Sequence, residues 1–279
     1  MTGTDVREAA GRVLEAADPA EKAGAARSVA ADWRAGRLGL PDEGAPGLAP
    51  DRPARPARLQ LVPPGQVPRR RLTSQAGRFA LLHAVAHIEF NAIDLAFDLV
   101  ARFGADPRIA AEERAAFIGD WIGVGDDEAR HFDLVRGRLR ALGGDYGDLP
   151  AHDGLWAAAR NTSDDLAARL AVAPMVLEAR GLDVTPGMIE RLKSAGDADS
   201  AAALEVIYND EIGHVAAGAR WFDHVCAAEN ADPETRFREL VSARFNGGLK
   251  PPFNIEARGR AGLPRRMYEP LAGGSGSNA

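Results

Sequence analysis

The sequence predicts an all-α fold whose core is a bundle of four long helices. Hydrophobic residues make up 46% of the 279 residues, which is ample for a buried core. Alanine is abundant and aromatic residues contribute only 6%, a composition that favours helices. Apolar residues recur with a 3.6-residue period over long segments, and runs of β-branched residues are few. Together these observations favour helices over strands.

The N-terminal part is expected to hold two short helices and a connector. Amphipathic helices are predicted over residues 5–17 and 20–35, with Asp18-Pro19 as the start signal of the second. From residue 39 to residue 68, prolines and glycines recur every few residues, which indicates an extended connector that lies on the surface of the main domain or is partly disordered. The predicted domains are an N-terminal helical segment (1–38), a connector (39–72), the bundle (73–246) and an irregular C-terminal tail (247–279).

The first two long helices follow the connector. The first is predicted to begin at a cap at Thr73 or Ser74 and to end at about Phe103. The second runs from about Pro107 to Leu142, because the pair of glycines at 143 and 144 stops it. Three glycines between residues 119 and 125 are expected to distort its middle.

A long connection leads to the last two long helices. Residues 145–161 could cross the length of a bundle and contain a short predicted helix around Leu155 and Trp156. Pro174 should kink the third long helix or open a backbone carbonyl, and Gly181 should end it. The predicted helices of this half are the third long helix over 162–180, a short helix over 185–195, the fourth long helix over 199–229 and a short helix that starts at Pro233.

Two of the long helices carry the same five-residue pattern. The copies are Asp127-Glu128-Ala129-Arg130-His131 and Asp210-Glu211-Ile212-Gly213-His214. Residues three apart share one face of a helix, so each Glu-x-x-His presents a carboxylate and an imidazole to one metal ion. Chance would supply only about 0.03 copies of a motif with Asp-Glu followed by His at this spacing in this composition, and the sequence has two. The pattern therefore predicts a two-metal site.

Each remaining long helix carries one glutamate on an apolar stripe, Glu89 in the first and Glu178 in the third. An isolated carboxylate there is costly unless it is protonated, paired or bound to a metal. Di-iron helix bundles take one Glu from each of two helices and a Glu-x-x-His from each of the other two. The predicted metal ligands are therefore Glu89, Glu128, His131, Glu178, Glu211 and His214. This set suits two iron ions, with manganese as the alternative.

Charged neighbours of the motifs have two interpretations. Asp127 and Asp210 are turned about 100° from their glutamates, where each could contact a ligand histidine on a neighbouring helix. Arg130 could pair with such a carboxylate. The alternative is that all three are solvated charges on a helix surface.

Four further side chains are candidates for positions near the metals. Trp121 and Tyr208 share helix faces with the motifs, so they are either core residues or redox-active or hydrogen-bonding neighbours of the site. His83 and His87 lie off the face of Glu89, which favours a structural or supporting role over metal ligation.

Composition also restricts the compartment and the partners. Cys226 is the single cysteine, which fits a reducing compartment, and the N-terminus lacks the apolar core of a secretory signal. We therefore expect a cytoplasmic protein with no membrane association. The formal charge of −6 gives no reason to expect nucleic acid as a partner, although the arginines at 69–71 could form a local basic patch. A homo-oligomer is compatible with the sequence.

The chain resembles the ferritin-like di-iron carboxylate superfamily and, more closely, the uncharacterised bacterial domain-of-unknown-function family 455, over about residues 70–260. The segments that carry the resemblance are His83-Ala-Val-Ala-His-Ile-Glu89, Asp126-Asp-Glu-Ala-Arg-His-Phe132, Tyr146-Gly-Asp-Leu-Pro-Ala-His-Asp153, Leu177-Glu-Ala-Arg-Gly-Leu-Asp183 and Asp210-Glu-Ile-Gly-His-Val215. The resemblance implies a ferritin-like four-helix bundle with a long crossover between the second and third long helices and additional short helices.

The same resemblance implies chemistry with dioxygen. The Asp127 to His131 motif is similar to that of oxygen-activating desaturases and monooxygenases, although Gly213 stands where such enzymes often place arginine. The leading hypothesis is an oxidoreductase that hydroxylates or desaturates a small organic substrate, fed by an electron donor. The alternatives are a ferroxidase or iron-storage protein without an organic substrate, a tRNA-modifying hydroxylase, and a bundle with a vestigial ligand set.

Overall fold

The computed structural model describes residues 4–68 and 72–273, and within them the chain is mostly helical, which confirms the all-α prediction. The two-residue strands β1 (Thr4–Asp5) and β2 (Leu38–Gly39) pair in parallel. The helices are α1 (Val6–Glu15), α2 (Pro19–Arg34), α3 (Gln75–Phe103), α4 (Arg114–Ala141), α5 (Gly154–Arg160), α6 (Leu166–Val172), α7 (Ala179–Ser194), α8 (Ala198–Ala228), α9 (Pro233–Arg244), α10 (Ile255–Arg260) and α11 (Arg265–Tyr268). A π-helical segment, Ala173–Glu178, joins α6 to α7.

Contacts divide the chain into two units. The first unit comprises Met1–Trp156 and Gly187–Val206, and the second comprises Ala157–Pro186 and Ile207–Ala279. None of the helices in the described part of the chain combines the length and the apolar character that a bilayer crossing requires.

In the first unit α3 packs against α4, α1 packs against α3, and α2 packs against α4. Helix α3 has the predicted limits, because the Ser74 hydroxyl accepts a hydrogen bond from the Gly77 N–H at 3.1 Å and so caps the first turn. The predicted distortion of the next helix is wrong, because α4 runs unbroken through its three glycines. A Cβ at position 125 would lie 2.5 Å from the Phe97 ring, so Gly125 serves close packing between α4 and α3.

Helix α4 also begins later than predicted, at Arg114 instead of Pro107. The Asp106 carboxylate accepts a hydrogen bond from the Arg108 N–H at 2.9 Å, and the Ile109 N–H donates to the Asp106 carbonyl at 3.1 Å. These bonds hold the residues after Pro107 in a turn, and a side chain that bonds to nearby backbone in this way competes with helix.

The connector is extended and is hydrogen-bonded to helices of the first unit. Its described residues, 39–68 and 72, are non-helical apart from a single turn at Pro64–Gln66. The Leu48 N–H donates to the Ala101 carbonyl and the Ala54 N–H donates to the Leu14 carbonyl, each at 2.8 Å. The basic patch predicted at residues 69–71 lies outside the described residues.

The second unit departs from the predicted third helix at both ends. Helix α6 begins at Leu166, because the Asp165 carboxylate accepts from the Ala167 N–H at 3.0 Å, so the cap is neither Thr162 nor Ser163. The expected irregularity at Pro174 is confirmed as the π-helical segment. A Cβ at Gly218 would lie 2.5 Å from Pro174, so α8 approaches this segment closely.

Gly181 was expected to end the third helix, and this prediction is wrong because α7 continues past it and through Pro186. A proline in a helix leaves the carbonyl four residues earlier without its N–H donor. That carbonyl belongs to Leu182, and the Asn254 side-chain amide donates to it at 3.2 Å. A residue 72 positions away thus satisfies the helix that proline would otherwise interrupt.

The C-terminal segment differs from the irregular tail expected from its composition, since α10 and α11 form within residues 247–279. Asn254 caps α10 by accepting from the Ala257 N–H at 3.1 Å. Tyr268, in α11, is fully buried. The glycine- and serine-rich end of the predicted tail lies, from residue 274 onward, outside the described residues.

Candidate metal centre

Three of the predicted ligands meet in the first unit. Glu89 lies on α3, and Glu128 and His131 lie one turn apart on α4; all three are buried. The His131 Nδ1 atom lies 3.4 Å from Glu128 Oε2 and 3.4 Å from Glu89 Oε2. One donor atom from each of the three side chains lies within 4.8 Å of the others. Packing of α3 on α4 therefore creates a buried cluster of two carboxylates and one imidazole.

His131 carries the positive charge of this cluster when no metal is bound. Burial by itself would lower the pKa of His131, but hydrogen bonding and the negative charges of Glu128 and Glu89 raise that pKa to about 11. Without a metal, the imidazolium therefore compensates the buried carboxylates. A bound cation would take over this compensation, and the imidazole would then coordinate as the neutral form.

The donor types fit a transition-metal ion. Carboxylate oxygen and imidazole nitrogen together are ligands for iron, manganese or zinc, whereas calcium and magnesium prefer oxygen alone. Buried charges in proteins are paired or coordinate metals. The cluster can therefore hold a metal ion.

The other three predicted ligands belong to the second unit. Glu211 and His214 are buried on α8, with Glu211 Oε2 3.8 Å from His214 Nδ1. The Glu-x-x-His spacing thus places the two groups side by side, as predicted. Glu178 is half-buried and is the last residue of the π-helical segment. Such segments, in which one residue is added to a helical turn, are frequent at functional sites.

His83 and His87 have structural partners in the first unit. The His87 ring contacts the Tyr146 hydroxyl at 2.8 Å through Nδ1 and the His152 carbonyl at 3.1 Å through Nε2. His83 Nε2 accepts a hydrogen bond from the Gly147 N–H at 2.9 Å. Burial lowers the pKa of His83 to about 4 and that of His87 to about 3, so both rings are neutral at pH 7. They tie the loop after α4 to the helix that carries Glu89.

Tyr146 is a residue of the site region to which sequence reasoning gave no role. It is fully buried, and its ring lies 5.2 Å from that of Phe90 and 5.3 Å from that of Phe132. The Phe90 and Phe132 rings lie 5.3 Å apart, so the three rings form an apolar cluster, and Phe90 and Phe132 directly follow Glu89 and His131 in the chain. The sequence signal that could have identified Tyr146 is its place at the start of the segment Tyr146 to Asp153, one of those that carry the family resemblance.

Trp121, Asp127 and Arg130 take the plainer of their two interpretations. Trp121 is 1% exposed and packs edge-on against Phe117, as expected of a core residue. Asp127 and Arg130 form an exposed pair on α4 at 2.9 Å, consistent with solvated helix-surface charges. The Tyr208 hydroxyl accepts a hydrogen bond from the Asn254 amide at 3.0 Å.

Comparison with known proteins identifies relatives over most of the chain. The family model described as "Protein of unknown function (DUF455)" matches residues 15–269. A protein of Haemophilus influenzae (strain ATCC 51907 / DSM 11121 / KW20 / Rd), described as "Uncharacterized protein", is 40% identical over 214 residues, which cover 77% of this chain and 74% of the relative. No solved structure matches the chain.

Proposed function

We propose that this chain, which belongs to the family of unknown function DUF455, is a ferritin-like di-iron oxidoreductase that uses dioxygen to oxidise a small organic substrate. The observation that carries the proposal is the buried cluster of Glu89, Glu128 and His131. A structural role for such a cluster is poorly motivated, because well-packed apolar residues of similar size stabilise a core equally well or better.

The proposal assigns the second half of the ligand set to Glu178, Glu211 and His214. In a ferritin-like bundle the two Glu-x-x-His helices and the two helices with lone glutamates surround one di-metal site. The chain order fits this rule, because a helix with one glutamate precedes a helix with Glu-x-x-His twice along the sequence. On this basis the six residues bind two iron ions, or two manganese ions.

The protein's own groups set the conditions for the chemistry. When bound, Fe(II) would supply reducing electrons and open coordination positions for dioxygen. The six side chains would hold the metals, and burial of Glu128 and His131 would limit access of water. Hydroxylation of a C–H bond by dioxygen also forms water, so the reaction requires electrons from a separate donor. We propose that this donor and the substrate are the partners of a cytoplasmic enzyme.

The test is iron stoichiometry followed by oxygen consumption. Protein purified without oxygen and given Fe(II) should bind about two irons per chain, and His131→Ala and His214→Ala should each lower this number. Asp127→Ala is the matched control, since Asp127 neighbours Glu128 but is 44% exposed and pairs with Arg130. It should bind as much iron as the wild type.

The outcomes separate the competing functions. If both histidine variants retain wild-type iron content and thermal stability, the ligand assignment is wrong. Iron binding with oxygen consumption that stops once the bound Fe(II) is oxidised, and does not resume with reductant and small organic compounds, would favour a ferroxidase. Sustained consumption coupled to an oxidised organic product would support the oxidoreductase.

A further inference from the structure

A cavity in the second unit combines an apolar wall with positive charge. Its volume is about 260 Å³. Leu177, Leu249 and Phe253 contribute apolar surface, and Arg180, Lys250 and Arg258 contribute cationic groups. None of the described residues that line the cavity is acidic. This composition would repel a cation and accommodate a molecule with an anionic group and a hydrocarbon part.

Arg258 is the most constrained of the three cations, with only 2% of the residue exposed. Its Nε and Nη2 atoms donate to the Asp183 carboxylate at 2.8 and 2.7 Å, and Nη2 also donates to the Ala179 carbonyl at 3.3 Å. Its Cζ atom lies 4.5 Å from the centroid of the Tyr268 ring and 5.0 Å from that of the Phe253 ring. These contacts fix the orientation of the guanidinium plane.

One edge of this guanidinium group is not used within the protein. The Nη1 atom of Arg258 is buried and makes no hydrogen bond to any residue in 4–68 or 72–273. A buried cationic N–H group without an acceptor is costly, and in native proteins it often marks a function. An acceptor supplied by a ligand would remove this cost.

The other two cations of the cavity are more accessible than Arg258. Arg180 is half-buried, and its Nη1 atom donates to the Lys250 carbonyl at 2.6 Å, which holds the lysine backbone beside the cavity. Lys250 itself is exposed. The cavity thus has one fully buried cation, Arg258, and two more accessible ones, of which Arg180 also pairs with Asp183 at 3.4 Å.

We infer that this cavity binds the carboxylate end of a small organic acid, with the Arg258 Nη1 atom as the fixed donor and the acid's hydrocarbon part against Leu177, Leu249 and Phe253. The interpretation of this acid as the substrate rests on the proposed function. Leu177 directly precedes Glu178, a proposed metal ligand, so a molecule in this cavity would contact the segment that carries that ligand.

Isothermal titration calorimetry of the full-length protein tests the inference, with sodium octanoate as the probe. 1-Octanol has the chain without the charge, and acetate has the charge without the chain. We expect octanoate to bind at one site per chain, and both comparison compounds to bind at least about tenfold more weakly. Equal binding of octanoate and 1-octanol would overturn the inference.

Two substitutions of equal charge change localise the binding. Lys250→Glu reverses a charge at the cavity and should weaken octanoate binding about tenfold. Arg260→Glu makes the same reversal at an exposed residue that does not line the cavity, and affinity should stay within about twofold. If the two variants bind octanoate equally, the cavity is not the site.

Arg258 requires a pair of variants, because its ion pair with Asp183 also supports folding. Arg258→Lys keeps the charge but removes the fork of donors, and Leu177→Trp fills the cavity while it leaves Arg258 intact. Both variants should bind octanoate with an affinity that is lower by about tenfold or more. Circular dichroism is the control that shows whether each variant is folded. Wild-type affinity in Leu177→Trp would overturn the inference even if Arg258→Lys does not fold.

Iron content measured on the same preparations separates this inference from the proposed function. Selective octanoate binding by a protein that takes up no iron would support the acid site and refute the di-iron enzyme. Two irons per chain without selective octanoate binding would refute the acid site alone.

Discussion

Replacement of Asp94 by alanine tests whether every buried carboxylate of α3 serves a metal. Asp94 is 0% exposed and lies five residues after Glu89. Its carboxylate pairs with the Lys22 ammonium group and with the Arg55 guanidinium group. Lys22 is also 0% exposed, and its ammonium group also donates to the Val13 carbonyl at 3.0 Å and to the Leu14 carbonyl at 3.2 Å.

The expected loss follows from the state of Lys22 in the variant. Burial already lowers the pKa of Lys22, and the negative charge of Asp94 opposes that shift. Asp94→Ala removes the compensating charge and leaves a buried ammonium group, which costs about 3–5 kcal/mol of unfolding free energy. Replacing Lys22 and Asp94 together, as Lys22→Met with Asp94→Leu, should cost less than Asp94→Ala, because the fully buried ammonium group is removed with its partner and only the Arg55 guanidinium, which is 14% exposed, loses a carboxylate.

Urea unfolding followed by circular dichroism measures these losses, and Asp133→Ala is the control. Asp133 pairs with Arg27 on the surface, where the two side chains are 41% and 45% exposed, so its loss should cost about 0–1 kcal/mol. Equal midpoints for Asp94→Ala and Asp133→Ala would refute the reasoning. Iron content should be unchanged in Asp94→Ala and lowered in Glu89→Ala, and an equal loss of iron in both would show that Asp94 also serves the metal.

Three further predictions concern the pH dependence of stability, the packing of a glycine and the capping of a helix. Burial lowers the pKa of His83 to about 4, so the unfolded state binds more protons than the folded state below pH 6.5. On the order of 3 kcal/mol of stability should therefore be lost as the pH falls from 6.5 to 4. The urea midpoint of the wild type should fall over this range, and that of His83→Gln should fall less. Gly125→Ala should cost about 1–3 kcal/mol because its Cβ would lie 2.5 Å from the Phe97 ring, whereas Gly123→Ala, with no atom within 4 Å, should not lower the melting temperature. Asn254→Ala removes a helix cap and a donor to α7 and should cost about 1–2 kcal/mol, measured as a lower melting temperature.

Local signals in the sequence were sufficient for the limits of α3 and α8. Ser74 caps α3 through the third residue of its own helix, and α8 lies within one residue of its predicted limits. Helix α7 depends instead on a distant contact, because Asn254 supplies the donor that Pro186 lacks. Propensity at Gly181 and Pro186 predicts a break there, and only tertiary structure removes it.

Burial of a carboxylate alone does not identify a ligand. Glu89, Asp94 and Asp98 are all buried on α3, within ten residues of one another. Asp94 pairs with two cations, and Asp98 pairs with Arg102 at 2.8 Å. The cationic partners of Asp94 come from α2 and the connector, which a search along α3 cannot find. Glu89 was separated from the two aspartates by its relation to the repeated Glu-x-x-His motif, and the cluster with His131 supports that choice.

The buried histidines, like the buried carboxylates, divide into groups with structural partners and groups suited to bind a metal. In His87 both ring nitrogens contact protein groups, a phenol and a backbone carbonyl, and burial lowers its pKa to about 3. In His131 the ring nitrogen Nδ1 lies 3.4 Å from each of two carboxylates, and its pKa rises to about 11. A cation brought to these carboxylates would repel the imidazolium proton and leave a neutral nitrogen among oxygen donors. His87 is two residues from Glu89 in sequence, yet the surroundings of its ring suit a structural role, whereas those of His131 suit exchange of a proton for a metal.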